Sequence, residues 1–227
     1  MLDSLKRLTI FTGSLGSGKT EVAVNLALNL MRRGKRTALA DLDIINPYFR
    51  TRLVRRQLEE MGLKVVSPEG RFSFADLPAL SPAIKGVIED REVTGVFDVG
   101  GDDVGAVALG QFREMLPDSE CQMLFVINTC RPFTRDPEGI IKYINDIQGA
   151  SGLKVAGLVN NANLGRETGL DTVLGGFETV SGVARITGLP VAFTAVKRDL
   201  EDQVRRALGE GAGIMPIDFF MKPPWSV

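Results

Sequence analysis

Seven short, nearly continuous apolar runs are strung along the chain: LTIFT (8–12), TALADL (37–42), LKVVS (63–67), VTGVFDV (93–99), MLFVIN (123–128), VAGLVN (155–160) and VAFTAV (191–196). Most do not alternate with polar residues, the pattern of strands covered on both faces. Helical segments lie between them. Residues 20–33 form an almost uniformly apolar helix stopped by Gly34. Ser81-Pro82 and Asp136-Pro137 supply an N-cap and a first-turn proline for helices near 82–91 and 137–149. Further helices are expected near 177–187, before Gly188-Leu189-Pro190, and over about 199–208. Strand–helix alternation of this kind requires a mostly parallel sheet wrapped on both faces, with right-handed crossovers. No repeat, low-complexity linker or charge block interrupts it, so residues 1–227 read as one α/β domain.

Composition narrows the chemistry. Apolar residues make up 44% of the chain, ample for a buried core, and the net charge of -1 gives no global field to recruit nucleic acid or anionic lipid. Two cysteines, Cys121 and Cys130, are too few for a disulfide framework and point to a reducing, cytoplasmic setting. The N-terminal MLDSLKRLTIF lacks the shape of a signal peptide. No apolar run approaches the roughly 20 residues of a membrane span, so no membrane anchor is expected. The chain has no histidine, which excludes Ser-His-Asp catalysis and His-ligated metal sites.

The first apolar run leads into IFTGSLGSGKTE (10–21), where Gly13-Ser14-Leu15-Gly16-Ser17-Gly18-Lys19-Thr20 satisfies G-x-x-x-x-G-K-[ST] between a strand and a helix. Glycines let such a loop wrap so that backbone N–H groups face phosphate oxygens, and the helix N-terminus adds its positive end. Lys19 should reach the β- and γ-phosphates and the Thr20 hydroxyl should ligate Mg²⁺; Glu21 closes the expected nucleotide-binding stretch. Carboxylates from neighbouring strands should complete the metal shell. GVFDVGGDD ends a strand at Asp98 and continues through Gly100 to Gly101, whose N–H is placed to sense a γ-phosphate. In DLDIINP, Asp41 and Asp43 fall on one side at the carboxyl end of their strand, where ligands of open α/β sheets bind. Two carboxylates so close call for a cation beside them.

These three motifs in order, with DLDIINPYFR on the second strand and DVGG on the fourth run, resemble the MinD/ParA/CobQ-type P-loop nucleotide-binding proteins over about residues 7–208. The resemblance implies an ATP–Mg²⁺ site on a mostly parallel sheet of seven or eight strands. By position Asp43 would orient the attacking water, supported by Asp41, with Asp98 as the Walker B residue and Gly101 as the switch II sensor. After the sixth run the chain reads Val159-Asn160-Asn161-Ala162-Asn163 and lacks the N-K-x-D of a guanine site. The resemblance gives the adenine-pairing role to Asn161, then Asn160. Ordinary turn chemistry is the reading for Asn163.

One position departs from the pattern. Relatives with G-K-G-G-x-G-K-T carry a second lysine that reaches a dimer partner's nucleotide; here Ser14 occupies its place. An arginine could stand in for it: Arg50, Arg52 and Arg55 follow DLDIINP and Arg131 and Arg135 follow the fifth run, with Arg50 and Arg52 the leading candidates, against the plainer and favoured reading of basic residues on a solvated helix face. A cluster-bridging pair of cysteines is not expected, since only Cys130 falls near a bridging position. GRETGLDTVLGG (165–176) reads as a glycine-rich loop, a lid or a partner surface. The tail over 209–227, PIDFFMKPPWSV at its end, should pack on the body or on a partner rather than lie on a membrane, because Pro223-Pro224 breaks any helix.

The reading is an Mg-dependent ATP-binding protein, a slow ATPase acting as a nucleotide switch towards an unidentified protein partner. The resemblance allows a homodimer. Two alternatives stay open: an ATP-dependent small-molecule enzyme of the dethiobiotin synthetase or CobB-like kind, and an ATP-binding module without turnover.

Overall fold

The computed structural model describes residues 4–43, 51–66, 82–101, 103–209 and 211–221; residues 51–53, 103 and 104 are described by their backbone alone. All seven expected runs form strands: β1 (Leu8–Thr12), β2 (Thr37–Leu42), β3 (Lys64–Val66), β4 (Thr94–Val99), β5 (Cys121–Ile127), β6 (Val155–Asn160) and β7 (Val191–Lys197). An eighth, β8 (Ile214–Ile217), extends β7. The helices are α1 (Lys19–Arg32), α2 (Thr51–Glu60), α3 (Pro82–Glu89), α4 (Asp103–Gly110), α5 (Pro137–Ser151), α6 (Leu170–Thr187) and α7 (Glu201–Leu208). The sheet runs β3-β2-β4-β1-β5-β6-β7-β8, and every pairing in it is parallel. β8 carries Pro216 opposite Val196, tolerated because β8 is an edge strand with no neighbour on its far side.

Alternate residues of each central strand feed two cores. Ile10, Phe97, Phe125 and Leu158 face the side covered by α3, α4, α5 and α6. Phe11, Val96, Leu124 and Val159 face the side where Val22, Leu26 and Leu30 of α1 pack. Phe11 and Phe193 meet edge to face there, with ring centroids 6.3 Å apart. No described helix is long and apolar enough to cross a membrane.

Helix caps follow the sequence where it is explicit. Asp136 accepts from Gly139 N at 2.9 Å with Pro137 in the first turn, and Gly152 ends α5 in the left-handed region. Ser81, the expected cap of α3, lies outside the described residues. Residues 165–176 differ from the expected loop. Only 165–169 stay outside α6, and a one-turn 3-10 helix occupies Gly165–Glu167. Gly176 lies inside α6 because the helix presses on the end of β6: a Cβ there would stand 2.2 Å from Ala162 Cβ and 2.7 Å from Asn160 Oδ1. Gly176 thus serves close packing, whereas Gly165, with a φ of 64°, serves the turn before α6.

Candidate functional site

The phosphate-binding pattern sits at the carboxyl end of β1, between β4 and β5, at the centre of the sheet. Gly18 takes a φ of 81° as the N-cap of α1, and no side chain caps that helix end. The first-turn N–H groups of α1 are thereby left facing the loop. Gly18 is also hemmed in: a Cβ would stand 2.3 Å from Asn161 Nδ2. Within the loop Ser17 N donates to Ser14 O at 3.0 Å. The hydroxyls of Ser14 and Ser17, and of Thr12 just before them, are buried with no hydrogen-bond partner among the described residues. Such groups are costly to leave unmatched, and they cluster around one loop.

Four ionisable side chains gather below it. Lys19 Nζ lies 3.5 Å from Asp43 Oδ2, and both groups are almost fully buried. Asp41 Oδ1 accepts from Asp43 N at 3.0 Å, which fixes the chain as it leaves β2. Asp41 and Asp98 are register partners on β2 and β4, so two carboxylates stand side by side. Burial pushes the Asp98 carboxyl up to about 8; Lys19 opposes this, Asp41 and Asp43 add to it, and a hydrogen bond with Thr20 lowers it. With the Asp98 carboxyl holding its proton near neutrality, one ammonium shares a buried site with the carboxylates of Asp41 and Asp43, and a bound hard cation would draw the proton off Asp98 as well.

The segment after β4 closes on the loop. Gly101 approaches the Gly13 carbonyl so tightly that a Cβ would fall 1.8 Å from Gly13 O. Gly100 is in turn covered by Gly105 of α4, where a Cβ would lie 2.6 Å from Gly100 Cα. Backbone-to-backbone packing of this kind makes the position of residues 100–101 sensitive to any movement of the loop.

Asparagines at the strand ends hold the loop from the other side. Asn161 Nδ2 donates to Ser17 O at 2.7 Å. Asn160, by contrast, is spent locally: its Nδ2 donates to Val173 O at 3.2 Å and its Oδ1 accepts from Ala162 N. That removes Asn160 from contact with the loop and gives it to the β6–α6 joint. Asn128, ending the fifth apolar run, has no role in the sequence reading, yet it is the hub. Its Nδ2 donates to Asn163 O at 3.1 Å and Gly16 O at 3.4 Å, and its Oδ1 accepts from Cys130 N and Asn163 N, both at 3.0 Å. A polar residue closing an apolar strand beside the central one is the signal that could have found it. Arg131 Nε also donates to Gly16 O, at 3.1 Å. Arg50 lies outside the described residues, as does the side chain of Arg52.

Glu21 departs from its expected place. Its carboxylate turns away from the loop to accept from Phe220 N at 2.9 Å and Met221 N at 2.6 Å. One turn on, Asn25 exchanges two 2.8 Å hydrogen bonds with the backbone of Asp218. Arg198 grips the Asp218 carboxylate with two 2.7 Å bonds. Helix α1 thus reads residues 218–221 as backbone, and Glu21 fastens that segment. Cys121 is free; burial pushes its thiol up to about 12, which keeps it protonated and inert near neutrality.

Comparison with known proteins agrees with this geometry. The sequence profile described as "CobQ/CobB/MinD/ParA nucleotide binding domain" matches residues 8–174. No curated protein matches the chain. Among solved structures it is similar to the cell division protein FtsY of Thermotoga maritima, with a TM-score of 0.60 and 20% identity over 89% of this chain and 68% of that one. It is also similar to the signal recognition particle receptor FtsY of Elizabethkingia anophelis in complex with GDP, with a TM-score of 0.57 and 19% identity over 83% and 57%. The 54 kDa signal recognition particle protein of Aeropyrum pernix K1 in complex with GDP gives a TM-score of 0.54 and 19% identity, over 82% and 40%. The chain therefore spans less than half of that last protein, and at such identities the likeness is one of fold. A profile match over most of the sequence, on an all-parallel sheet with a glycine-rich loop at its centre, places the chain in the CobQ/CobB/MinD/ParA nucleotide-binding domain family.

Proposed function

We propose that the protein binds Mg²⁺-ATP at the loop Gly13–Thr20 and works as a slow ATPase switch. The observation that carries this reading is the buried set Lys19, Thr20, Asp43 and Asp98 beneath that loop. Gly13, Ser14, Gly16, Ser17 and Gly18 would wrap the phosphates with backbone N–H groups, and the unmatched Ser14 and Ser17 hydroxyls offer further donors. Thr20, Asp43 and Asp98 are the oxygen donors fit to hold Mg²⁺, which when bound would neutralise phosphate charge. Lys19, held by Asp43 in this structure, would exchange that carboxylate for the β- and γ-phosphates. Asp43, supported through Asp41, would then be free to orient a water on the γ-phosphate, with Gly101 N–H reporting whether that phosphate is present.

Adenine is favoured by the asparagine that braces the loop. Because Asn161 Nδ2 is engaged with Ser17 O, the amide is oriented with Oδ1 as an acceptor and one N–H as a donor still to be used, and no donor among the described residues bonds to Oδ1. An acceptor beside a donor suits the N6 amine and N7 of adenine better than the two acceptors O6 and N7 of guanine. The signal to an unidentified protein partner would pass through the segments carrying Asp43 and Gly101.

Titration calorimetry with Mg²⁺ tests the reading. Mg²⁺-ATP should bind, GTP should compete poorly, and Lys19→Ala should abolish binding. Asp43→Ala should bind nucleotide yet release no phosphate over long incubation. Absence of ATP binding by the wild-type protein would sink the proposal.

A further inference from the structure

We propose that Arg131 contacts the terminal phosphates of the nucleotide held by its own chain, supplying in cis the second cation that Ser14 does not. The inference rests on the nucleotide reading above. Position 14 offers no charge, and its hydroxyl is buried inside the loop without a partner among the described residues, so its side chain does not project outward. Arg131, in contrast, stands at the rim. Its Nε donates to Gly16 O, the same carbonyl that Asn128 Nδ2 bonds.

The turn beneath it is rigidly built. Arg131 N donates to Asn128 O at 3.1 Å and Thr134 N to Arg131 O at 3.1 Å. The fully buried Thr134 hydroxyl donates to Asn128 O at 2.8 Å. One asparagine thus fixes both the loop and the arginine that leans on it.

The guanidinium is exposed, and beyond Nε it has neither a hydrogen-bond partner nor a paired carboxylate among the described residues. Arg7, Arg36, Arg55, Arg56, Arg198 and Arg205 are all paired with acids. Lys19 is engaged by Asp43, so among the described residues Arg131 is a cation at this loop with donors to spare. A planar fork of donors matches a phosphate edge, and a permanent positive charge matches the charge that terminal phosphates would bring to this loop. Arginine placed on a transferring phosphoryl group can also come from the same chain as the loop.

The test compares wild type with Arg131→Gln and Arg131→Lys, measuring Mg²⁺-ATP affinity by calorimetry across ionic strength. Gln keeps a donor for Gly16 O and removes the charge. Arg131→Gln should weaken binding at least about tenfold and flatten its salt dependence by about one charge, with the melting temperature unmoved; Arg131→Lys should fall between. Affinity within twofold of wild type overturns the inference, as does a loss with unchanged salt dependence, which would mean that Arg131 only braces Gly16. Lys19→Ala run in parallel separates the two failures. If wild type does not bind, the nucleotide reading falls and takes this inference with it. If Lys19→Ala abolishes binding and Arg131→Gln does not alter it, only the inference falls.

Discussion

Glu21→Gln should make the protein more stable at alkaline pH and leave it nearly unchanged at pH 4. Burial raises the Glu21 carboxyl from 4.5 to about 7; the N–H groups of Met221 and Phe220 oppose that rise, and the Asp218 carboxylate adds to it. Between those two values the folded chain retains a proton that the unfolded chain releases. Stability contributed by this group therefore falls as pH rises from about 4.5 to 7 and is level above. At about 1.4 kcal/mol per pH unit the loss reaches at most about 3 kcal/mol. Glutamine is isosteric, accepts from the same two N–H groups through its Oε1, and has no charge to desolvate. The difference between variant and wild type should thus be near zero at pH 4, about 1 kcal/mol at pH 5, and roughly 3 kcal/mol at pH 8. In a chain of this size that is a gain of roughly 6–12 °C in melting temperature. Urea unfolding at pH 4, 5, 6, 7 and 8 measures it directly, and other titrating groups cancel in the difference. Parallel stability curves would refute the reasoning. A variant less stable than wild type at pH 8 would refute it more strongly, since the two amides would then outweigh burial.

Gly101→Ala should damage the site through packing alone: its Cβ would sit 1.8 Å from Gly13 O, against the 3.4 Å where ordinary contact begins. Both neighbours are backbone, so an overpacking cost of about 1–3 kcal/mol is expected by chemical denaturation, together with weaker nucleotide binding. An unchanged midpoint would show that residues 100–101 yield freely. Asn128→Ala should cost about 2–4 kcal/mol, since it leaves Cys130 N and Asn163 N without their acceptor, takes a donor from Asn163 O, and leaves Gly16 O to Arg131 Nε alone. Hydrogen exchange should then rise at residues 14–18 and 161–163 together. A rise at only one of the two loops would count against a shared hub.

The strands were legible because each is a compact apolar run bounded by turn residues, and burial on both faces removes any need for alternation. β8 was not, since IMPI is four residues long with a proline in it and owes its place to pairing with β7. α4, DVGAVALG, is too short and glycine-rich to show a helical period, and the start of α6 was hidden by Gly175 and Gly176. In the site, Lys19, Asp41, Asp43 and Asp98 could be placed from local spacing because strand ends in a parallel sheet converge. Glu21 could not. Its neighbour in sequence is the threonine of the loop, but its partners are Phe220 and Met221, and no local pattern reports a contact across about 200 residues. Asn128 was missed for the same reason: its meaning lies in Gly16 and Asn163, on two other loops.

That reach in sequence also sets an order of assembly. Thr9 meets Gln122 across 113 residues, Ser17 meets Asn161 across 144, and Glu21 meets Met221 across 200. At roughly 5–20 residues per second, a ribosome takes roughly 10–40 s to deliver Met221 after Glu21. Helix α1, apolar on nearly every side, can meet β1, β2 and β4 early in that interval but spends all of it without the 218–221 clamp. High contact order of this kind slows folding and leaves apolar surface open to aggregation. The central position that makes the phosphate loop so well braced in the finished molecule makes it wait for Asn128, Arg131 and Asn161, more than a hundred residues behind it on the ribosome.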